Sequence, residues 1–149
     1  MRLVKIIDTN SVKNIFDKTN YVTIIGDAGS GKSMLVKHLF LNTLETNYAI
    51  PLVFDLRDLN KSNISFNQFV KNHIFENELA VNDKILERTL ASGIYVFFLD
   101  GFDELNKDSL DKFIYDLNSF INKYDENKFV ITSRPHSNVR CFLFSITIV

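Results

Sequence analysis

Four apolar runs rich in β-branched and aromatic residues punctuate the chain: Tyr21-Val22-Thr23-Ile24-Ile25, Ile50-Pro51-Leu52-Val53-Phe54, Ile94-Tyr95-Val96-Phe97-Phe98-Leu99 and Phe129-Val130-Ile131-Thr132. The third shows no polar alternation, as expected of a strand covered on both faces. Pro51 stands near the start of its run, where a missing amide donor is tolerated. Between the runs, apolar residues recur at the three- and four-residue spacing of amphipathic helices. Leu35 and Leu39, with Leu41 and Leu44, are expected to face inward after the first run. Phe66, Phe69, Val70 and Ile74 predict a helix from about Ser65, and a further helix spans Asp83 to about Ser92, before the helix stop Gly93. Leu110, Phe113, Ile114, Leu117, Phe120 and Ile121 mark a last helix from Ser109. Strands alternating with helices predict an α/β fold, a three-layer αβα sandwich around a mainly parallel sheet.

A chain of 149 residues, 46% apolar, suits one globular core. Residues 1–20 read as a short N-terminal segment and residues 21–149 as the core. The net charge of -1, with acids and bases interspersed, gives no basic footprint for nucleic acid. Cys141 is the single cysteine, so no internal disulfide forms, and no Cys/His spacing matches a zinc site. A reducing cytoplasm is the expected location. Charges interrupt the N-terminal apolar residues too early for a signal-peptide core. The run from Cys141 to Val149 is too short to cross a bilayer as a helix and reads as a buried strand. No turn, cap or polar tail follows it, so the core is expected to be incomplete at its C-terminus.

The first strand leads into Gly26-Asp27-Ala28-Gly29-Ser30-Gly31-Lys32-Ser33, which matches G-x-x-x-x-G-K-[ST] between a strand and a helix. In that context the loop is expected to wrap polyphosphate with backbone amides, Gly26, Gly29 and Gly31 relieving side-chain clash. Lys32 would reach the β- and γ-phosphates, and Ser33 would place its hydroxyl on magnesium. Asp100 follows six apolar residues and should emerge at the carboxyl end of a central strand, as the Walker B acid that supports the metal. Taken alone, Asp100-Gly101 also fits a strand-ending turn. Asp103 and Glu104 are close enough for one of them to orient or deprotonate an attacking water, with Glu104 favoured for its longer reach. They equally suit the start of the next helix. Arg134 follows the fourth run, where a guanidinium could read the γ-phosphate by paired hydrogen bonds; as an isolated residue it would be an ordinary solvated arginine.

Asn122-Lys123-Tyr124-Asp125 spells the N-K-x-D tetrapeptide by which GTPases read guanine, but it ends a helical pattern instead of following a strand. His38, His73 and His136 lack partners at useful spacing and read as surface or packing residues. Cys141 reads as a small buried hydrophobe.

Together these residues resemble the NACHT group of signal-transduction NTPases, within the STAND class of P-loop switches. Three blocks carry the likeness: the phosphate loop, Phe97-Phe98-Leu99-Asp100-Gly101-Phe102-Asp103-Glu104-Leu105, and Val130-Ile131-Thr132-Ser133-Arg134-Pro135. The small residue after Asp100 and the acidic pair beyond it are the most specific part. The segment from Ile50 to Leu59 is similar to the family's second strand, so the resemblance spans roughly residues 20 to 135. It implies Mg2+-dependent ATP binding with slow hydrolysis, in which a closed ADP form gives way to a self-associating ATP form that activates an attached effector. It also implies a homo-oligomer for a full-length relative, a sensor role for Arg134, and a part in immunity or antiviral defence. The effector, winged-helix and repeat segments usual in the family do not fit within this chain. Two further readings remain: a nucleotide-binding interaction module without turnover, and a small-molecule kinase, for which no arginine-rich lid is found.

Overall fold

The computed structural model describes residues 8–135 and the backbone of Ile146–Ile148. The described residues hold a five-stranded parallel sheet of β1 (Tyr21–Ile25), β2 (Ile50–Asp55), β3 (Tyr95–Asp100), β4 (Lys128–Ser133) and β5 (Ile146–Ile148). Its order is β2-β3-β4-β1-β5. Helices α1 (Val12–Ile15) and α2 (Lys32–Glu45) cover one face, and α3 (Phe66–Glu76), α4 (Asp83–Ala91) and α5 (Lys107–Lys123) cover the other. This is the expected three-layer sandwich. Two short 3-10 turns, Leu56–Lys61 and Phe102–Glu104, follow β2 and β3. The readings of His136 and Cys141 lie outside the described residues. No helix among the described residues is long and apolar enough to cross a membrane.

The strand β3 explains the layering. Its side chains point alternately to the two faces, Tyr95, Phe97 and Leu99 into one core and Val96 and Phe98 into the other. All five are at most 1% exposed, which is why the run lacks polar alternation. On the α3–α5 side, Phe97 stacks on Phe129 with ring centroids 5.0 Å apart and meets Phe120 edge-on at 5.4 Å. Asn127, fully buried, satisfies the backbone where three elements converge: its Oδ1 accepts from Tyr95 N at 3.1 Å, and its Nδ2 donates to Leu90 O at 2.6 Å and Tyr124 O at 3.1 Å.

The helices follow the same logic. The Ser65 hydroxyl caps α3 by accepting from Gln68 N at 3.2 Å, and the Asn82 side chain caps α4 by accepting from Ile85 N at 3.0 Å. Phe66, Val70 and Ile74 are buried as expected, whereas α5 starts at Lys107, two residues ahead of Ser109. The inward face of α2 differs from the expectation. Val36, Leu39 and Thr43 are buried, while Leu41 and Leu44 are about half exposed. The buried stripe runs through Val36, Leu39 and Thr43, which puts Leu41 on the opposite side of the helix and Leu44 at its flank. His73 packs its ring on Phe54 at 4.5 Å, and burial pushes its imidazole down, as suits a packing residue. His38 is exposed.

Because all strands run parallel, Ile25, Asp55, Asp100 and Ser133 end on one edge of the sheet. Asn122 to Asp125 precede β4 and therefore lie at the opposite, amino edge. The layering predicts that Phe97→Ala costs about 3–5 kcal/mol in urea unfolding, while Val53→Ala, on the exposed side of β2, costs about 0.5 kcal/mol or less. Equal losses would overturn the placement of β3 inside and β2 at the rim.

Candidate nucleotide-binding site

Residues 26–31 form the turn that leaves β1 and enters α2. The Gly26 N–H donates to Ser133 O at 3.2 Å, which ties the loop to the end of β4. A side chain on Gly26 would strike that of Ser30, whereas at Gly29 and Gly31 there is open space and the constraint is a φ of 75° and 88°. Crowding thus explains the first glycine and left-handed backbone the other two. With Gly31 as its N-cap, α2 has no side-chain cap, and its first amides precede the helical bonding that begins with Leu35 N donating to Gly31 O at 2.9 Å. An uncapped helix start presents partial positive charge to an anion. Lys32 folds over the loop, its Nζ donating to Gly26 O at 2.6 Å and Asp27 O at 2.8 Å.

Opposite the loop stands Asp100, the last residue of β3. Ser33 Oγ donates to its Oδ2 at 2.9 Å, and Thr132 Oγ1 donates to its Oδ1. The Thr132 hydroxyl in turn accepts from Gly101 N at 2.9 Å. Both carboxylate oxygens are therefore oriented by hydroxyl groups. Gly101, at φ 89°, turns the chain into the Phe102–Glu104 turn, which delivers the acidic pair. Asp103 Oδ1 accepts from Arg134 N at 3.0 Å, and its Oδ2 lies 3.2 Å from Arg134 Nε. Glu104 Oε2 lies 3.1 Å from Arg57 Nε. Arg57 also forks onto Asp55, with Nε 3.0 and 3.1 Å from its two oxygens and Nη2 2.5 Å from Oδ2. That bond holds the Asp55 carboxyl below its ordinary range and pushes the Arg57 guanidinium up.

These groups line one cleft of about 440 Å³, bounded by residues 28–34 with Asp55, Arg57, Asp100, Asp103, Glu104, Thr132 and Arg134. The structure thus brings the phosphate loop, Asp100, the acidic pair and Arg134 together. It adds Thr132, Asp55 and Arg57, which the sequence reading left out. A charged pair, Asp55-x-Arg57, directly after an apolar strand was the available signal. The guanine-reading tetrapeptide lies across the sheet from this cleft. There, Lys123 pairs with Glu87 at 3.1 Å.

Ser33 and Asp100 offer hard oxygen atoms side by side, a donor set that suits magnesium. Among the described residues no three His, Cys, Asp or Glu side chains cluster to hold a metal alone. An ion here would share its coordination with water and phosphate, as magnesium commonly does.

The family model of the NACHT domain matches residues 20–144. Among proteins of curated function, none matches the chain. Among solved structures, the DnaC helicase loader is similar at 21% identity and a TM-score of 0.50, over 81% of this chain and 63% of that one. Trip13 of Rhizobiales is similar at 15% identity and a TM-score of 0.51, over 93% of this chain and 47% of that one. The chain thus spans less than two thirds of either relative, and at these identities the likeness concerns the fold.

The Asp55–Arg57 pair carries a pH signature. A carboxyl held below its ordinary value of 3.8 contributes stability fully above that pH and loses it as pH falls through its lower value in the fold. Asp55→Asn should therefore flatten the decline of Tm on acidification below 3.8. A decline as steep as in the unaltered protein would show that the pair does not form.

Proposed function

The chain belongs to the NACHT domain family of nucleotide-binding P-loop NTPases, and on that premise we propose that it is the ATP-binding, magnesium-dependent core of a signal-transduction switch. The observation that carries this reading is the 2.9 Å bond from Ser33 to Asp100. It joins the two motifs that a magnesium nucleotide needs on either side, from positions 67 residues apart.

In this reading residues 26–33, including Asp27, Ala28 and Ser30, wrap the phosphates with backbone amides, and Lys32 exchanges its loop carbonyls for phosphate oxygens. Ser33 and Asp100 hold magnesium, which when bound offsets phosphate charge and orients the chain of phosphates. Thr132 keeps the Asp100 carboxylate turned toward Ser33. Arg134, fixed by Asp103 through both its backbone and its guanidinium, acts as the sensor of the γ-phosphate. Asp103 has both oxygens engaged in holding Arg134, whereas among the described residues Glu104 is engaged through Oε2 alone. Glu104 is accordingly the acid that orients the attacking water. The position of the N-K-x-D tetrapeptide on the far edge supports ATP over GTP. For the whole protein we propose cytoplasmic action in immunity or antiviral defence, with ATP permitting self-association; the support is family membership.

One observation favours a second reading. Both acids are already ion-paired, so the chain could bind nucleotide as an interaction module without turning it over. Turnover separates the two: Glu104→Ala should lower hydrolysis about 100-fold or more while magnesium-ATP still binds. Equal background rates in both proteins would leave the module reading.

Binding itself has a direct test. A ligand of the folded state raises Tm, so magnesium-ATP should stabilise the chain more than magnesium-GTP. Lys32→Ala should remove that rise and leave the Tm of the free protein nearly unchanged, because among the described residues Lys32 Nζ bonds within its own loop. A rise that survives the substitution would overturn the site.

A further inference from the structure

We propose that Arg57 is a positioning residue for hydrolysis: it ties the Glu104 carboxylate to the end of β2 and so sets where that acid stands over the cleft. The inference rests on the hydrolytic reading above. Asp55 and Asp100 are register partners at the ends of adjacent strands, so Arg57, two residues past Asp55, starts beside the turn that carries Glu104. Its guanidinium is fixed first by the fork onto Asp55, with contacts of 2.5 to 3.1 Å. From that fixed position Nε meets Glu104 Oε2 at 3.1 Å.

The same 3-10 turn, Leu56–Lys61, holds Glu104 a second time through its backbone. Asn60 Nδ2 donates to Glu104 O at 2.8 Å, and Asn60 Oδ1 accepts from Asn106 N at 2.9 Å. Leu56, fully buried, roots the turn in the core. Carboxylate and main chain of Glu104 are therefore both set by one six-residue segment. Stability does not account for the arrangement. The Arg57 and Glu104 side chains are 62% and 39% exposed, and ion pairs so open to water add little to folding. A lysine could not replace the guanidinium, since a single ammonium cannot fork onto Asp55 and so hold its charge fixed against Glu104.

The test compares the unaltered chain with Arg57→Lys and Arg57→Gln. Single-turnover hydrolysis should fall by about 10- to 100-fold in both variants, while the Kd for magnesium-ATP stays within about twofold. The Tm of the free protein should fall by no more than the small contribution of the exposed Asp55 pair. Independently of nucleotide, the Arg57 Nε–H resonance of arginine-labelled protein should shift in Glu104→Gln, as the charge 3.1 Å from Nε is lost. An unmoved resonance overturns the contact. Unchanged hydrolysis overturns the role, as does a loss of magnesium-ATP affinity with turnover intact, which would make Arg57 a phosphate ligand. A chain that binds magnesium-ATP and hydrolyses none of it brings down the hydrolytic reading and the positioning role together. A chain whose Tm no nucleotide raises fails earlier, at the proposed binding.

Discussion

A strand buried on both faces must be apolar along its length, because an unpaired charge in the interior is too costly to keep. β3 obeys this from Tyr95 to Leu99, so the first position at which it carries a charge is its end, Asp100. Between their terminal residues β2 and β4 carry no charge either, and in a parallel sheet the carboxyl ends coincide. Asp55, Asp100 and the Ser133-Arg134 step are thereby delivered to one edge, next to the loop that leaves β1. The cleft is a consequence of the sheet: what the core cannot hold is gathered where the strands stop.

The charges at that edge are not equivalent. Asp55 and Glu104 are met by Arg57, and Asp103 by Arg134. Asp100 is met by the hydroxyls of Ser33 and Thr132, which orient it without cancelling its charge. A divalent cation would find one acid held by hydroxyls, beside others already ion-paired. The arginines come from segments after β2 and β4, on the two sides of the acidic turn, so the turn is held laterally between strands that flank β3.

The layered fold could be read from the sequence because unbroken apolar runs and helical spacing are local properties that the core enforces. Reading failed where the period was short or ambiguous. The four-residue helix α1 and the 3-10 turns hold too few residues to show a repeat, and Leu41 and Leu44 of α2 suggested an inward stripe that Val36, Leu39 and Thr43 supply instead. In the site, the phosphate loop is contiguous and could be recognised whole. The partnership of Arg57 with Glu104 depends on the register of β2 against β3, a long-range property that no local spacing encodes. Thr132 was hidden for the converse reason: inside an apolar run it reads as a strand residue, and its hydroxyl gains meaning only beside Asp100.

Lys32 is the one cation of the phosphate loop, and it is already satisfied by two carbonyl oxygens of that loop. In the proposed binding, its passage to a phosphate would be an exchange of partners, and the gain a difference between two sets of charge-assisted bonds. Such a site is graded by the negative charge of the visitor: a weakly charged anion barely outcompetes the resident carbonyls, while a polyphosphate does so decisively. On that reading the resident carbonyls are a built-in competitor, and the loop would set its own threshold for the charge of an anion.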